Sequence, residues 1–470
     1  MPATTNSSTS LSIPRLRSRL NGRVIGPDDA SYDRARTVFY GGFDRRPAVI
    51  VRAADAADVA YVVSLARETG LDLSVRSGAH SPAGYGVNEG GIVLDMSDLR
   101  KLDIDAESGT AWVGSGLTAG EYTTAAAAHG LATGFGDTGS VGIGGITLAG
   151  GVGYLSRKYG LTIDQLLAAE VVTADGHLIR ADEENNADLF WALRGGGGNF
   201  GIVTRFQFQL HELPTIVGGL LVLPATAESI EEFVARAQEA PDELSSIANV
   251  MPAPPMPFLP PERHGELVIL ATMAYAGSVE AGLQAVAPFR ALGTPLADMV
   301  QPMPYPQIYP PEPEDFHPLA KARTMFVDGV DQRVSNLILD RLQASTAMMS
   351  AAQIRVLGGA VAAVPAEATA FAHRKQPMLV NVAAIYGESD DPATHEAWVA
   401  DFTAALRPVG GAYVGFLADE GPERVREAYP GPTWDKLCAI KASYDPDNLF
   451  HLNQNIPPAV AGGDGISSED

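Results

Sequence analysis

One histidine stands in a turn built almost wholly from small residues. The stretch "VRSGAHSPAGYG" spans 75–86 and sets His80 between Ala79 and Ser81, directly after Arg76, Ser77 and Gly78. Nothing bulky shields the imidazole, so a ligand can come within bonding distance of it. A neutral imidazole there can act as base, as metal ligand or as covalent anchor for a cofactor. Metal binding has the least support: the nine histidines show no H-x-x-x-H or H-x-H pair, and a single cysteine, Cys438, excludes cysteine-rich sites. No metal is expected. His129, His177, His211 and His395 fall where a surface role is the default, while His373 and His451 receive no assignment.

Glycine is the second chemical signal. It is dense in "TGFGDTGSVGIGGITLAGGVGYLSRKYG" (133–160) and in "RGGGGNFGIVT" (194–204). Glycine costs stability unless the backbone takes positive φ or must lie close to something. Two such clusters suit a long ligand resting on bare main chain, where successive N–H groups cradle a pyrophosphate without lysine or arginine. "GSGLTA" (114–119) matches a relaxed dinucleotide fingerprint, but the acidic residue expected after the next strand is missing, so it is read as a decoy. The chain has neither a G-x-x-x-x-G-K-[ST] loop nor a G-x-S-x-G elbow, which argues against P-loop nucleotidases and serine hydrolases of that type.

The elements that must position these residues begin with a βαβ rhythm. "PAVIVRA" (47–53) reads as a strand, 55–70 as a helix ending at glycine, and "LDLSVRSG" as a second strand. Further strands follow at 91–97 and 109–116, a helix at 118–130, and a hairpin over 168–181 about Asp175-Gly176. Near Leu213-Pro214 the character changes to longer helices and strands, interrupted by proline-rich stretches at 251–262 and 302–318, which read equally as pocket wall or as connectors.

Composition bounds the rest. The 470 residues exceed one hydrophobic core, no apolar run approaches a membrane span, and a formal net charge of -23 disfavours nucleic acid and anionic membranes. The first twenty or so residues read as a loose polar arm without the apolar stretch of a secretory leader, and with the lone cysteine this fits a cytoplasmic location.

Taken together, R-S-G-A-H-S (76–81), "GGVGYLSRKYG", "VVTADG", "LFWALRGGGGNFGIVT" and "YDPDNLFHLNQNIPP", in this order, resemble the vanillyl-alcohol oxidase/p-cresol methylhydroxylase flavoproteins. Within that family the likeness is to the berberine-bridge-enzyme-like and 6-hydroxynicotine-oxidase-like branch. The resemblance implies an α+β fold: a two-part FAD-binding domain of the p-cresol methylhydroxylase type with an inserted α/β substrate domain, an antiparallel sheet backed by helices. The implied boundaries are an N-terminal arm and lead-in at 1–40, FAD domain at 41–213, substrate domain at 214–410, a returning segment at 411–458 and a disordered tail at 459–470.

It also implies covalent FAD, with His80 joined to the flavin 8α carbon. Many relatives carry a second link from a cysteine, but Thr138 stands at that position here, so a single link is expected. The implied FAD contacts are Arg76, Ser77, Gly78, Ala79, Ser81, Thr138, Gly139, Val141, Gly142, Gly145, Gly150, Gly151, Gly153, Tyr154, Gly201, Ile202, Asn453 and Asn455. The implied activity is transfer of hydride from a C–OH, C–N or similar carbon of a small organic substrate to flavin N5. Val141, at the oxygen side, resembles the permissive type, so O2 is the expected acceptor and H2O2 the product. The alternatives are a dehydrogenase with another acceptor and a non-catalytic flavin-binding protein. Tyr413 and Asn381 are the substrate-side candidates, with Tyr386 a weaker one, and Gly415, where relatives often have asparagine, suggests a wider pocket.

Overall fold

The computed structural model describes residues 11–460, apart from Glu314 and Arg407. Short β-branched runs make the first sheet. Strand Val49–Arg52 lies parallel to Ile92–Asp95, which lies parallel to Leu73–Arg76, and Arg23–Ile25 adds an antiparallel edge. The helix Ala56–Thr69 connects two of these strands. Asp55 caps its start by accepting from the Asp58 N–H, and Gly70, in the left-handed region at φ 66°, ends it.

The loose arm expected at the N-terminus is corrected from Ile13 onward. A helix, Ile13–Arg19, buries Leu16, and Arg23–Ile25 is hydrogen-bonded into the sheet. The tail expected at 459–470 falls, from 461 on, outside the described residues.

A five-stranded antiparallel sheet follows, in the order Leu102–Asp105, Thr110–Gly114, Ile202–Gln209, Leu166–Val172, Leu178–Asp182. Its last two strands are the hairpin expected about Asp175-Gly176. The helix Ala119–Ala127 explains why "GSGLTA" is no nucleotide site. Thr118 and Glu121 close a capping box, and the N–H groups of Ala119 and Gly120 are taken by the carbonyls of Val141 and Gly139, at 2.9 and 2.8 Å.

From Ile216 the chain builds the large antiparallel sheet. Its order is Ala297–Asp298, Ile216–Pro224, Leu267–Tyr275, Leu244–Pro252, Met349–Val356, Met378–Tyr386, Leu319–Val327, with Gln301–Met303 beside Ile216–Pro224. Period-two alternation divides its faces. Val380, Val382 and Ala384, with Met325 and Val327, share a core with Phe233, Ile338 and Phe402 of the backing helices, which leaves Asn381, Ala383 and Ile385 on the opposite face. The chain then returns. Leu437, Ile440 and Ile456 share a core with Trp191 and Phe206. The buried Lys441 ammonium donates to the carbonyls of Asn199 and Phe450 and to Asp445, while Asn199 Oδ1 accepts from the Ile456 N–H.

Candidate active site

A cavity of about 530 Å³ lies where the glycine loops, the large sheet and the returning segment meet. Its floor is main chain. Ser77 to Ser81, Thr138, Val141, Gly142, Gly145, Gly201, Ile202 and Asn453 line it, and Asn381, Ala383, Ile385, Ala320 and Ala322 of the sheet form a wall, with Tyr413 close by. The two loops of the floor stand back to back: a Cβ on Gly142 would fall 2.1 Å from the Gly78 nitrogen, and one on Gly78 would fall 2.3 Å from the Gly142 nitrogen. Only glycine at both places permits this approach.

His80 is held from three sides. Ala79 takes the left-handed conformation at φ 57°, which a β-carbon disfavours, and its carbonyl accepts from the Phe39 N–H at 3.1 Å. The Phe39 ring stacks on the imidazole at 4.0 Å and 20°. Ser140 Oγ lies 3.0 Å from Nε2. Burial pushes the imidazole pKa down to about 4, so it is neutral at pH 7.

The charged residues on the wall are already paired. Arg76 binds Asp95 at 2.8 Å and the carbonyls of Ala35 and Thr37. Burial works to raise the Asp95 carboxyl, but Arg76 and the Ser97 donors outweigh it and hold the pKa below the usual range. Asp137 pairs with Arg355 at 2.6 Å. Among the described residues no other Asp, Glu, Lys or Arg lines the cavity.

The remaining neutral groups are informative. Tyr413 is buried, its hydroxyl oxygen accepts from the Gly151 N–H at 3.0 Å, and burial raises its pKa, so the phenol keeps its proton at pH 7. Asn381 Oδ1 and Asn453 Oδ1 are buried without a partner among the described residues. Tyr40 lines the cavity with its pKa pushed up to about 12, chiefly by burial.

Several expectations change. Gly139, Gly150, Gly151, Gly153, Tyr154 and Asn455 stand behind the cavity wall rather than on it. Their glycines serve packing: a Cβ at Gly153 would lie 1.6 Å from the Phe135 carbonyl oxygen, and one at Gly151 would lie 2.0 Å from Thr162 Oγ1. Tyr154 is buried in a cluster with Tyr305 and Ile308. Tyr386 points to the helix side of its strand and stacks on His395, which is itself buried rather than on the surface. Gly415 does line the cavity, but a Cβ there would sit 2.9 Å from the Tyr413 hydroxyl, so this glycine makes room for that phenol.

Phe39, Tyr40, Tyr85, Phe316 and Gln454 were not anticipated on the wall. Of the two proline-rich stretches, the second reaches it: Phe316 and Pro318 line the cavity, and the Pro318 carbonyl accepts from the Gly41 N–H at 3.0 Å. Among the described residues no group of three or more His, Cys, Asp or Glu could hold a metal ion. None of their helices is long and apolar enough to cross a membrane.

The residues fit an FAD. Among the described residues, no main-chain N–H from Ser77 to Ser81 or from Thr138 to Gly142 donates to a protein acceptor, so these half-buried donors are left for solvent or a ligand. A Cβ on Gly145 would meet nothing within 4 Å, so open space lies directly against that backbone. These donors, with Arg76 tied to Asp95, suit a diphosphate held on main chain rather than on basic side chains.

Such a fold and cradle define an FAD-linked oxidoreductase, and comparison with known proteins agrees. An "FAD binding domain" model matches residues 47–182, and a "Berberine and berberine like" model matches 412–457. The chain belongs to the berberine-bridge-like FAD-linked oxidoreductases of the vanillyl-alcohol oxidase/p-cresol methylhydroxylase flavoproteins. It is 30% identical to (R)-6-hydroxynicotine oxidase of Paenarthrobacter nicotinovorans over 93% of this chain and 97% of that one. It is 32% identical to an FAD-linked oxidoreductase of Bacillus subtilis over 94% and 99%. Among solved structures, 6-hydroxy-D-nicotine oxidase of Arthrobacter nicotinovorans superposes with a TM-score of 0.84 at 28% identity, covering 94% of this chain and 98% of that one. A glucooligosaccharide oxidase of Acremonium strictum, whose structure reveals a novel flavinylation, does so with 0.84 at 25%, covering 97% and 100%.

Proposed function

We propose that this protein is an oxidase with FAD joined by one bond to His80, acting on an uncharged, largely apolar small molecule and passing the electrons to O2. The observation that carries the reading is the row of unpaired main-chain N–H groups running beside a neutral, desolvated histidine. Bound there, the flavin supplies the two-electron acceptor and hands the pair on to O2, giving H2O2. The loops at 77–81 and 138–142 hold the diphosphate, and Thr138 offers no thiol for a second link. On this reading residues 41–213 and 411–458 form the FAD domain and 214–410 the substrate domain, in a cytoplasmic protein.

The substrate side follows from the wall. Ala320, Ala322 and Ala383 give a flat, shallow surface for a planar molecule, with Phe39, Phe316, Tyr40 and Tyr85 as further lining. An oligosaccharide would strand several hydroxyls there, at roughly 1–3 kcal/mol for each left unpaired. Asn381 Oδ1 accepts the O–H or N–H next to the oxidised carbon, and the protonated Tyr413 hydroxyl donates to the substrate heteroatom and orients it. Val141 lines the oxygen side and leaves it accessible.

Visible spectroscopy on acid-precipitated protein, then anaerobic bleaching, tests this. Yellow colour staying with the denatured chain, bleaching by aromatic alcohols or cyclic amines but not by xylo- or glucooligosaccharides, and recovery in air within seconds are expected. Recovery taking minutes replaces the oxidase with a dehydrogenase, and a flavin that no substrate bleaches replaces it with a carrier.

A further inference from the structure

Resting on the reading that His80 carries the flavin, we infer that Ser140 is the positioning residue that makes the attachment possible, by holding the His80 imidazole in the tautomer whose Nδ1 is an open nucleophile. Ser140 Oγ lies 3.0 Å from Nε2, and neither group has another side-chain hydrogen bond among the described residues. Nδ1 has no partner there either, and His80 faces the cavity. A neutral imidazole has one N–H and one bare nitrogen, and the bond made by the first decides which is which. With Nε2–H donating to Ser140 Oγ, the lone pair sits on Nδ1.

The contact is built rather than incidental. Ser140 and His80 ride on the two loops that touch through Gly78 and Gly142, and the Ser140 carbonyl oxygen would lie 3.0 Å from a Gly78 Cβ. Stacking on Phe39 fixes the ring plane, so the hydroxyl meets Nε2 edge-on. Burial keeps the ring neutral, so one of its two nitrogens is bare.

The Nδ1–C8α bond forms as one C8α–H bond breaks; the electron pair of that bond passes to the flavin ring, and the C8α proton and the Nε2 proton are released. O2 then takes the pair and both protons as H2O2. Ser140 accepts the Nε2 proton's hydrogen bond before the step and donates its own O–H to the bare Nε2 after it, which a hydroxyl can do and a methyl group cannot.

Full-length wild type, Ser140→Ala and Ser140→Thr are compared for total bound flavin and for the fraction that stays with acid-precipitated polypeptide, followed over time with added FAD. Ser140→Ala is expected to bind FAD at the wild-type stoichiometry but to attach it roughly tenfold more slowly, as for loss of one hydrogen bond, with Ser140→Thr restoring the rate. Attachment by Ser140→Ala at the wild-type rate, or a slow Ser140→Thr, overturns the inference. Should Ser140→Ala bind no flavin, the Thr variant decides alone: wild-type attachment supports the role and slow attachment rejects it. Wild type without acid-stable flavin would instead overturn the histidyl link itself.

Discussion

The two sides of the cavity are built on opposite principles. The floor presents backbone, locked by loops so close that a single methyl at Gly142 would fall 2.1 Å from the facing nitrogen. The opposing wall presents side chains, and thin ones, on strands whose other face is welded to the helices through Val380, Val382 and Phe402. A floor of main chain cannot drift in chemistry with the sequence as long as its glycines remain. The wall can change residue by residue without touching the fold. Relatives that share the fold while their names point to nicotine derivatives or oligosaccharides agree with that division of labour.

Substitutions on each side sharpen the contrast. Arg76→Ala removes the closer cation of a buried ion pair at the cavity edge and leaves Asp95 with only Arg52, at 3.4 Å, and the Ser97 N–H, at up to about 3 kcal/mol. Denaturant unfolding should show it, and a loss under 1 kcal/mol would mean the pair holds nothing. Gly142→Ala forces the loops apart at about 1–3 kcal/mol and should cut bound flavin severalfold, read as the visible-to-ultraviolet absorbance ratio. Unchanged flavin content would disprove the close approach.

On the wall, Ala383→Phe should leave flavin content intact and raise KM for planar substrates by roughly tenfold, as for overpacking worth about 1.4 kcal/mol. Equal loss of flavin would show that the two sides are not separable. Val141→Leu should slow reoxidation in air, again by roughly tenfold, with anaerobic bleaching unaffected.

The smallest effect is a pH dependence. Burial lowers the pKa of His373, which lies 3.2 and 3.1 Å from the Glu427 and Ala428 carbonyls. Below the ordinary histidine range the unfolded chain therefore binds a proton that the folded one resists. Stability should fall as pH drops below about 6.5, by at most about 1.4 kcal/mol per unit. His373→Gln should flatten that slope in melting curves, and an unchanged slope would assign it to His80 and His211, the other histidines whose pKa is lowered.

How far the sequence carried this reading differs by residue. His80 was legible because its neighbours are small, and the hairpin at Asp175-Gly176 because turn chemistry is local. Glycine density was legible too, but its cause was mixed. Gly78 and Gly142 shape the floor, while Gly151 and Gly153 make way for Thr162 and Phe135, and both kinds look alike in a string of letters. Tyr386 was recoverable: an odd spacing from Asn381 on one strand puts the two on opposite faces. Phe39 and Phe316 were not, because neither spacing nor composition signals that two distant loops meet over an imidazole.

The Lys441 clasp has a consequence for truncation. Asn199 keeps a local bond to the Gly196 carbonyl, but its own carbonyl and Oδ1 are tied by an ammonium and an amide encoded after the whole large sheet. A polypeptide that stops before Lys441 has the glycine loops but neither this clasp nor Asn453 of the cavity floor. Chains cut short before Lys441 are therefore expected to retain severalfold less flavin than the full chain, read as the visible-to-ultraviolet absorbance ratio.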